Sequence, residues 1–199
     1  PAALVVGPPR SGKTHLAHVW RSRTGAEIWF HLSVFGHEDD ARDIVGLTPW
    51  FEGESEVALE IRERVRRLDD NDFEGALSCR IQGTDHRIVF DAVDFAAHSD
   101  RKLPASVSAR LVGFAKHVVV SRPDEEIVAA VTRDARLCGR VLDHSELVNE
   151  ASGGRFRWLL VQCLGARLDI VVEPGAIAGD IADGCHVQVE CALFGRVLD

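Results

Sequence analysis

The chain has 199 residues, of which 46% are hydrophobic, a composition that allows one sizeable core and is ordinary for a folded protein. Its formal net charge is −8, from 31 acidic and 23 basic residues, which argues against a dedicated DNA- or RNA-binding surface. No apolar run is long enough to span a membrane and no signal-like leader occurs, so we expect a cytoplasmic protein without a membrane partner. The chain starts with a proline almost directly before a predicted buried strand, and we therefore expect natural residues upstream of Pro1.

The strongest motif lies near the N-terminus, where residues 7–14 read GPPRSGKT and satisfy every fixed position of the P-loop pattern GxxxxGK[ST]. The apolar run ALVV before the motif predicts a strand, and THLAHVWRSR after it has apolar residues at helical spacing. Strand, glycine loop and helix is the order that a phosphate-binding loop requires. The predicted nucleotide-binding residues are Gly7, Pro8, Pro9, Arg10, Ser11, Gly12, Lys13 and Thr14.

Each part of this motif has a chemical role. The two glycines allow backbone N–H groups to turn toward a phosphate, and the positive end of the following helix adds to the field. Lys13 places a charge on the outer phosphates, and Thr14 offers its hydroxyl to a magnesium ion. The expected cofactors are therefore ATP or ADP together with Mg²⁺.

A P-loop also needs an acidic residue at the end of a neighbouring buried strand. RIVFDAVDF supplies one, because Ile88 to Phe90 predict a buried strand and Asp91 follows at its carboxyl end. We therefore expect Asp91 to hold Mg²⁺ together with Thr14 and to act in catalysis. Asp69 and Asp70 are the alternative, although the segment before them is too charged for a central strand.

The remaining pattern predicts an α/β unit followed by helices. Residues 27–35 and 117–121 read as strands, whereas ESEVALEIRERVRRL (residues 54–68) carries the apolar stripe of an amphipathic helix. Three helices are predicted between residues 123 and 169, and the last thirty residues receive no assignment. The expected division is a nucleotide-binding domain over 1–122, truncated at its N-terminus, and a helical lid with its tail over 123–199.

This layout resembles an AAA+ protein, and GPPRSGKTHLAHVW resembles the Walker A segment of the DnaA family, most closely that of the Hda-type regulators. LPASVSARL is similar to the segment that carries the family's arginine finger, which makes Arg110 the expected catalytic finger. VVVSRPDEEIVAAV resembles the segment that opens the family's lid. ASGGRFRWLLVQCLGARLD is similar to the last lid helix, which places Arg157 at the nucleotide-sensing position.

The resemblance implies a P-loop AAA+ parallel sheet with a small all-helical lid. It implies a protein that inactivates a DnaA-like initiator by promoting hydrolysis of its bound ATP, beside a sliding clamp contacted through a segment before Pro1. Direct sequence-specific nucleic-acid binding is not implied, and a homo-oligomer is allowed. Ala92 follows Asp91 where the family has a second acid, and the spacing after this strand is short, so we expect at most weak intrinsic hydrolysis.

Other interpretations remain open at this point. A P-loop kinase that phosphorylates a small acceptor is one, with Asp39, Asp40 and Arg42 as substrate-binding candidates, and a protein that binds nucleotide only structurally is another. Arg110 is equally explained as a surface arginine paired with a carboxylate, and Arg157 has an ordinary helix-face alternative. The five cysteines have no zinc or redox spacing and are expected to be reduced and mostly buried.

Overall fold

The computed structural model describes residues 3–4, 13–16, 18–19, 28–36, 42–66, 74–121, 134–149 and 152–198. Across these residues the regular elements are strands, apart from two short 3-10 helices at Phe95–His98 and Pro174–Ala176. The strands are β1 (Ala3–Leu4), β2 (Lys13–Leu16), β3 (His18–Val19), β4 (Ile28–Gly36), β5 (Arg42–Phe51), β6 (Val57–Arg66), β7 (Gly75–Ile81), β8 (Arg87–Ala92), β9 (Ala105–Ser121), β10 (Asp134–Val148), β11 (Arg155–Cys163), β12 (Ala166–Val172), β13 (Ile177–Ala178) and β14 (His186–Leu198).

The strands form one large sheet and two small ones. The large sheet contains the nine strands from β6 to β14. In a second sheet β4 lies between β2 and β5, and β1 and β3 form a third, two-stranded sheet. In the large sheet, β9 and β14 form a long antiparallel ribbon. One end of this ribbon closes into a ring through β6, β7 and β8, and the other end closes through β12, β11 and β10. Two adjoining closed rings therefore share β9 and β14.

The interior of both rings is a continuous hydrophobic core. Leu59, Leu77 and Phe90 from the first ring and Leu159 and Leu168 from the second belong to the same cluster of buried residues, and each is fully buried. A second cluster lies outside the rings, where Trp50 and Phe51 at the end of β5 pack with residues of β9, β11 and β12. This outer cluster joins the end of β5 to the large sheet.

The gap between the two rings is closed by polar contacts of two buried residues. Along one edge of β9 the partner strand changes between Ala109, which stands opposite Val57 of β6, and Val112, which stands opposite Asp169 of β12. The Ser55 hydroxyl donates to the Leu111 carbonyl at 2.9 Å and accepts from the Leu111 N–H at 3.2 Å. The fully buried carboxylate of Asp169 accepts the N–H groups of Glu54 at 3.0 Å, Ser55 at 2.8 Å and the Trp158 indole at 2.7 Å. These contacts satisfy backbone groups that the change of partner strand leaves unpaired.

The fold differs from the expected one. The prediction of an α/β AAA+ sheet with a helical lid is wrong, because the described residues are almost entirely strands and the large sheet is mixed with mainly antiparallel pairs. Strands from both sides of the domain boundary expected after residue 122 pair with one another, because β14 pairs with β9 over the whole length of β14. No helix in the described part of the chain is long and apolar enough to cross a membrane.

The first of the three predicted lid helices lies mostly outside the described residues, and the other two fall mainly where β10 and β11 form an antiparallel pair. Along β11, Leu159, Val161 and Cys163 face the core inside the ring. Phe156, Trp158 and Leu160, which alternate with them, face the outer cluster. A strand that is buried on both faces is apolar all round, and its sequence cannot be distinguished from a buried helix by periodicity.

The predicted helix at residues 54–68 is also wrong over its described part, where β6 lies between β7 and β9. Val57, Leu59 and Ile61 point into the core at a period of two, and Ala58 is exposed between them. The sequence fits both periods here, and pairing with two neighbouring strands decides between them. The strands expected at residues 27–35, 88–90 and 117–121 are confirmed as β4, part of β8 and the end of β9.

Candidate functional site

The phosphate-binding motif lies only partly within the described residues. Residues 7–12 lie outside them, whereas Lys13 and Thr14 begin β2 and stand opposite Phe35 and Val34 of β4. The backbone is therefore extended at both motif residues. The helix predicted from Thr14 onward is wrong at residues 14–16 and 18–19, which belong to β2 and β3.

Asp91 occupies the position in its strand that the sequence predicted, but in a different kind of sheet. It lies near the end of β8, is 5% exposed and stands opposite Ala76 of β7 and Phe194 of β14. Lys13 and Thr14 belong to the small sheet of β4, so Asp91 and the motif are on different sheets. Asp69 and Asp70, the alternative pair, lie outside the described residues.

The acidic groups give no magnesium site in the part of the chain that the structure describes. No group of three or more His, Cys, Asp or Glu side chains is arranged there to hold a metal ion. The Mg²⁺ ion expected at Thr14 and Asp91 stays a prediction.

Arg110 is held by contacts within its own chain. Its side chain, 23% exposed, forms an ion pair with Glu52 and donates from Nε to the Ser55 carbonyl at 3.2 Å. Glu52 also accepts the indole N–H of Trp50 at 3.2 Å and lies 3.8 Å from Arg196. In this structure Arg110 connects β9 to the segment between β5 and β6. This agrees with the interpretation of Arg110 as an arginine that pairs with a carboxylate.

Arg157 lies on β11 rather than on a lid helix. It stands opposite Glu146 of β10, and its Nη2 atom is 3.9 Å from the Glu146 carboxylate. Glu146 accepts a shorter hydrogen bond from Arg155 at 2.7 Å.

Of the kinase candidates, Asp39 and Asp40 lie outside the described residues and Arg42 begins β5. Arg110, Arg157 and Asp91 lie on three different strands, β9, β11 and β8, respectively.

None of the five cysteines, all of which lie within the described residues, forms a disulfide. Cys79, Cys163 and Cys191 are buried, and Cys138 and Cys185 are partly buried. Burial raises the pKa of Cys79 to about 12, and burial together with the nearby Cys138 raises the pKa of Cys163 to about 12. Both thiols therefore stay protonated at neutral pH, which excludes them as nucleophiles. The expectation that the cysteines are mostly buried is confirmed, and their reduced state stays a prediction.

A shallow depression that the sequence did not indicate lies across β9, β14 and β10. His117, Glu190 and Arg136 are directly opposite one another on the three strands, and the Arg136 and Glu190 side chains approach to 3.9 Å. The depression has a volume of about 170 Å³, small for a ligand pocket. Its lining residues are His117, Val119, Arg136, Leu137, Cys138, Gln188, Val189 and Glu190. They come from three segments far apart in the chain, so no linear pattern could have revealed them.

Comparison with models of known protein families finds no match for this chain, and a search of curated proteins finds no relative.

Proposed function

We propose that this protein binds the phosphates of ATP or ADP through residues 7–14. The observation that carries the proposal is the sequence GPPRSGKT, in which all four fixed positions of the P-loop pattern are present. The charge of Lys13 and the N–H groups of the glycine-rich turn supply the phosphate contacts. Support for nucleotide binding therefore comes from the motif and not from an AAA+ fold, which the described residues do not form.

The test is displacement of a fluorescent ADP analogue by ATP, with the full chain and a Lys13→Ala variant. A lost charge-assisted hydrogen bond weakens binding by about 1.5–3 kcal/mol, which is roughly a 10- to 150-fold rise in Kd. Lys102→Ala is the matched control, because it removes an exposed lysine outside the motif and should leave the Kd unchanged. Equal affinity of the parent protein and Lys13→Ala would contradict the proposal.

A narrower proposal is that the nucleotide-bound protein stimulates ATP hydrolysis by a DnaA-like initiator, with Arg110 as the stimulating residue. Its support is the resemblance of the segments around residues 7–20 and 103–111 to the DnaA/Hda family. The assay is ATP turnover by the initiator, on a loaded clamp and DNA, with and without this chain.

Arg110→Ala should abolish that stimulation, and Glu52→Ala is the matched control because it breaks the same ion pair but keeps the guanidinium. Stimulation that survives Arg110→Ala excludes Arg110 as the finger. Absence of stimulation, with nucleotide binding intact, favours the kinase alternative, and small acceptors would then be tested for γ-phosphate transfer.

A further inference from the structure

The second half of β10 is paired on one edge only within the described part of the chain. β14 pairs with β10 as far as Arg140, and the Val141 backbone bonds to the loop before β14. Over residues 142–148, β11 is the one partner strand that the described residues supply. The His144 N–H donates to the side chain of its neighbour Asp143 at 2.7 Å, so it is not bonded to β11. An open strand edge of this kind accepts a strand from another chain.

Two exposed apolar side chains lie at the ends of this open edge. Val65, Leu142 and Val148 are the exposed large hydrophobic residues among the residues that the structure describes, at 43%, 38% and 46% exposed, respectively. Two of the three therefore fall within residues 142–148. Apolar groups on an unpaired edge favour association with a second strand, because pairing removes them from water.

The edge is complementary to itself when two copies run antiparallel. With Ser145 opposite Ser145 of a second copy, His144 stands opposite Glu146 and Leu142 opposite Val148. An imidazole N–H then faces a carboxylate and one apolar side chain faces another, and both kinds of cross-strand pair are favourable. A register shifted by two residues loses these pairs, because it places Glu146 opposite Glu146 or His144 opposite His144.

We propose that two copies of this chain associate through residues 142–148 of β10, antiparallel and about a twofold axis at Ser145. The same residues contribute on both sides, as a closed twofold dimer requires. The Glu146 carboxylate accepts a hydrogen bond from Arg155 at 2.7 Å and has lone pairs left for the imidazole of the second copy. Because one short strand from each copy buries less area than a stable dimer needs, the dimer dissociates on dilution.

Sedimentation velocity of the full chain over a range of protein concentrations tests this interface. Val148→Lys places a charge against Leu142 of the second copy, and the twofold axis makes this happen twice in each dimer. We therefore expect the Kd of the dimer to rise at least about tenfold. Val65→Lys is the matched control, because Val65 is about as exposed but lies on β6, and it should leave the Kd unchanged.

Three results of this comparison overturn the proposal. One is a chain that stays monomeric at every concentration, and another is an equal effect of Val148→Lys and Val65→Lys. The third is protection of the Glu146 and Val148 amides from hydrogen exchange in the monomer, which would show that another segment covers this edge.

Disulfide cross-linking tests the register independently of the lysine variants. Opposite Cα atoms in an antiparallel pair are about 4.5–5.5 Å apart, within the range that a disulfide spans. Ser145→Cys should therefore form a cross-linked dimer on oxidation. Leu142→Cys and Val148→Cys should cross-link with each other when the two variants are mixed, and much less when each is oxidised alone.

The parent chain, oxidised in the same way, controls for disulfides formed by the five native cysteines. A mixed cross-link between Leu142→Cys and Val148→Cys, together with the Ser145→Cys dimer, supports the interface. No dimer of Ser145→Cys beyond that of the parent, or self-linking of Leu142→Cys as efficient as the mixed cross-link, overturns it.

Discussion

The buried carboxylate of Asp169 offers a quantitative test of how the two rings are joined. It accepts three N–H groups, two from the segment before β6 and one from Trp158, and it is fully buried. Asp169→Asn keeps the shape but can present only one oxygen. If this oxygen occupies the Oδ1 position, it keeps the hydrogen bonds from the Glu54 N–H and the Trp158 indole N–H. The amide NH2 group then faces the N–H of Ser55, and that hydrogen bond is lost.

The expected loss of stability follows from these contacts. Loss of the charge-assisted bond to Ser55 costs about 1.5–3 kcal/mol, and conversion of the other two bonds from charged to neutral acceptors costs about 0.5–1 kcal/mol each. We therefore expect Asp169→Asn to lower the free energy of unfolding by roughly 3–4 kcal/mol. A cost of this size is a large fraction of the stability of a typical domain.

The assay is urea unfolding of the parent protein and Asp169→Asn, followed by circular dichroism and by tryptophan fluorescence. Asp180→Asn, which changes an exposed aspartate, is the control and should remain within about 0.5 kcal/mol of the parent. A loss below about 1 kcal/mol at an unchanged m-value would refute the claim that Asp169 fixes the junction.

Three further predictions concern the core and the cysteines. Ser55→Ala leaves the Leu111 N–H and carbonyl without their hydroxyl partner and should cost about 2–4 kcal/mol in urea unfolding; a cost equal to that of the exposed control Ser99→Ala would contradict this. Gly195→Ala should destabilise by at least about 1–3 kcal/mol, since a Cβ there would lie 2.3 Å from the Phe90 ring. The solvent-exposed Gly175 has no atom near an added Cβ and no left-handed backbone conformation, and a smaller effect of Gly195→Ala than of Gly175→Ala would show that the ring is loosely packed. The pKa values of Cys79 and Cys163 are raised from 9.0 to about 12 in the folded state. Between pH 9 and 12 the folded state therefore binds more protons than the unfolded state, and the free energy of unfolding should fall as the pH rises through this window. The free energy of unfolding measured from pH 8 to 11 checks this prediction. The double variant Cys79→Ala/Cys163→Ala should show a smaller decline with pH, and an equally steep decline in that variant would contradict the prediction.

The sequence predicted individual strands better than it predicted the fold. β4, β8 and the end of β9 were found because short β-prone apolar runs have few other interpretations. β6 and β11 were read as helices because Val57, Ile61 and Val65 also fit a helical stripe and because β11 is buried on both faces. The ring closures depend on pairings such as that of β9 with β14, which are distant in the chain and leave no local pattern.

The candidate site was predictable only as a motif. GPPRSGKT predicts phosphate binding, but the position of Asp91 relative to it depends on which sheet each joins. The contact of Arg110 with Glu52 spans 58 positions of the chain, and no spacing rule connects them. The carboxylate of Asp169 and the Ser55 hydroxyl were missed for the same reason, since their partners are brought together only by the closed rings.

The central claim is that residues 7–14 bind nucleotide phosphates, and calorimetric titration of the full chain with ADP and with ATP tests it most directly. We expect saturable binding of one nucleotide per chain, competed by inorganic triphosphate and weakened roughly 10- to 150-fold in Lys13→Ala. Absence of a binding isotherm for either nucleotide, in a sample whose circular dichroism shows the folded β structure, would contradict the claim.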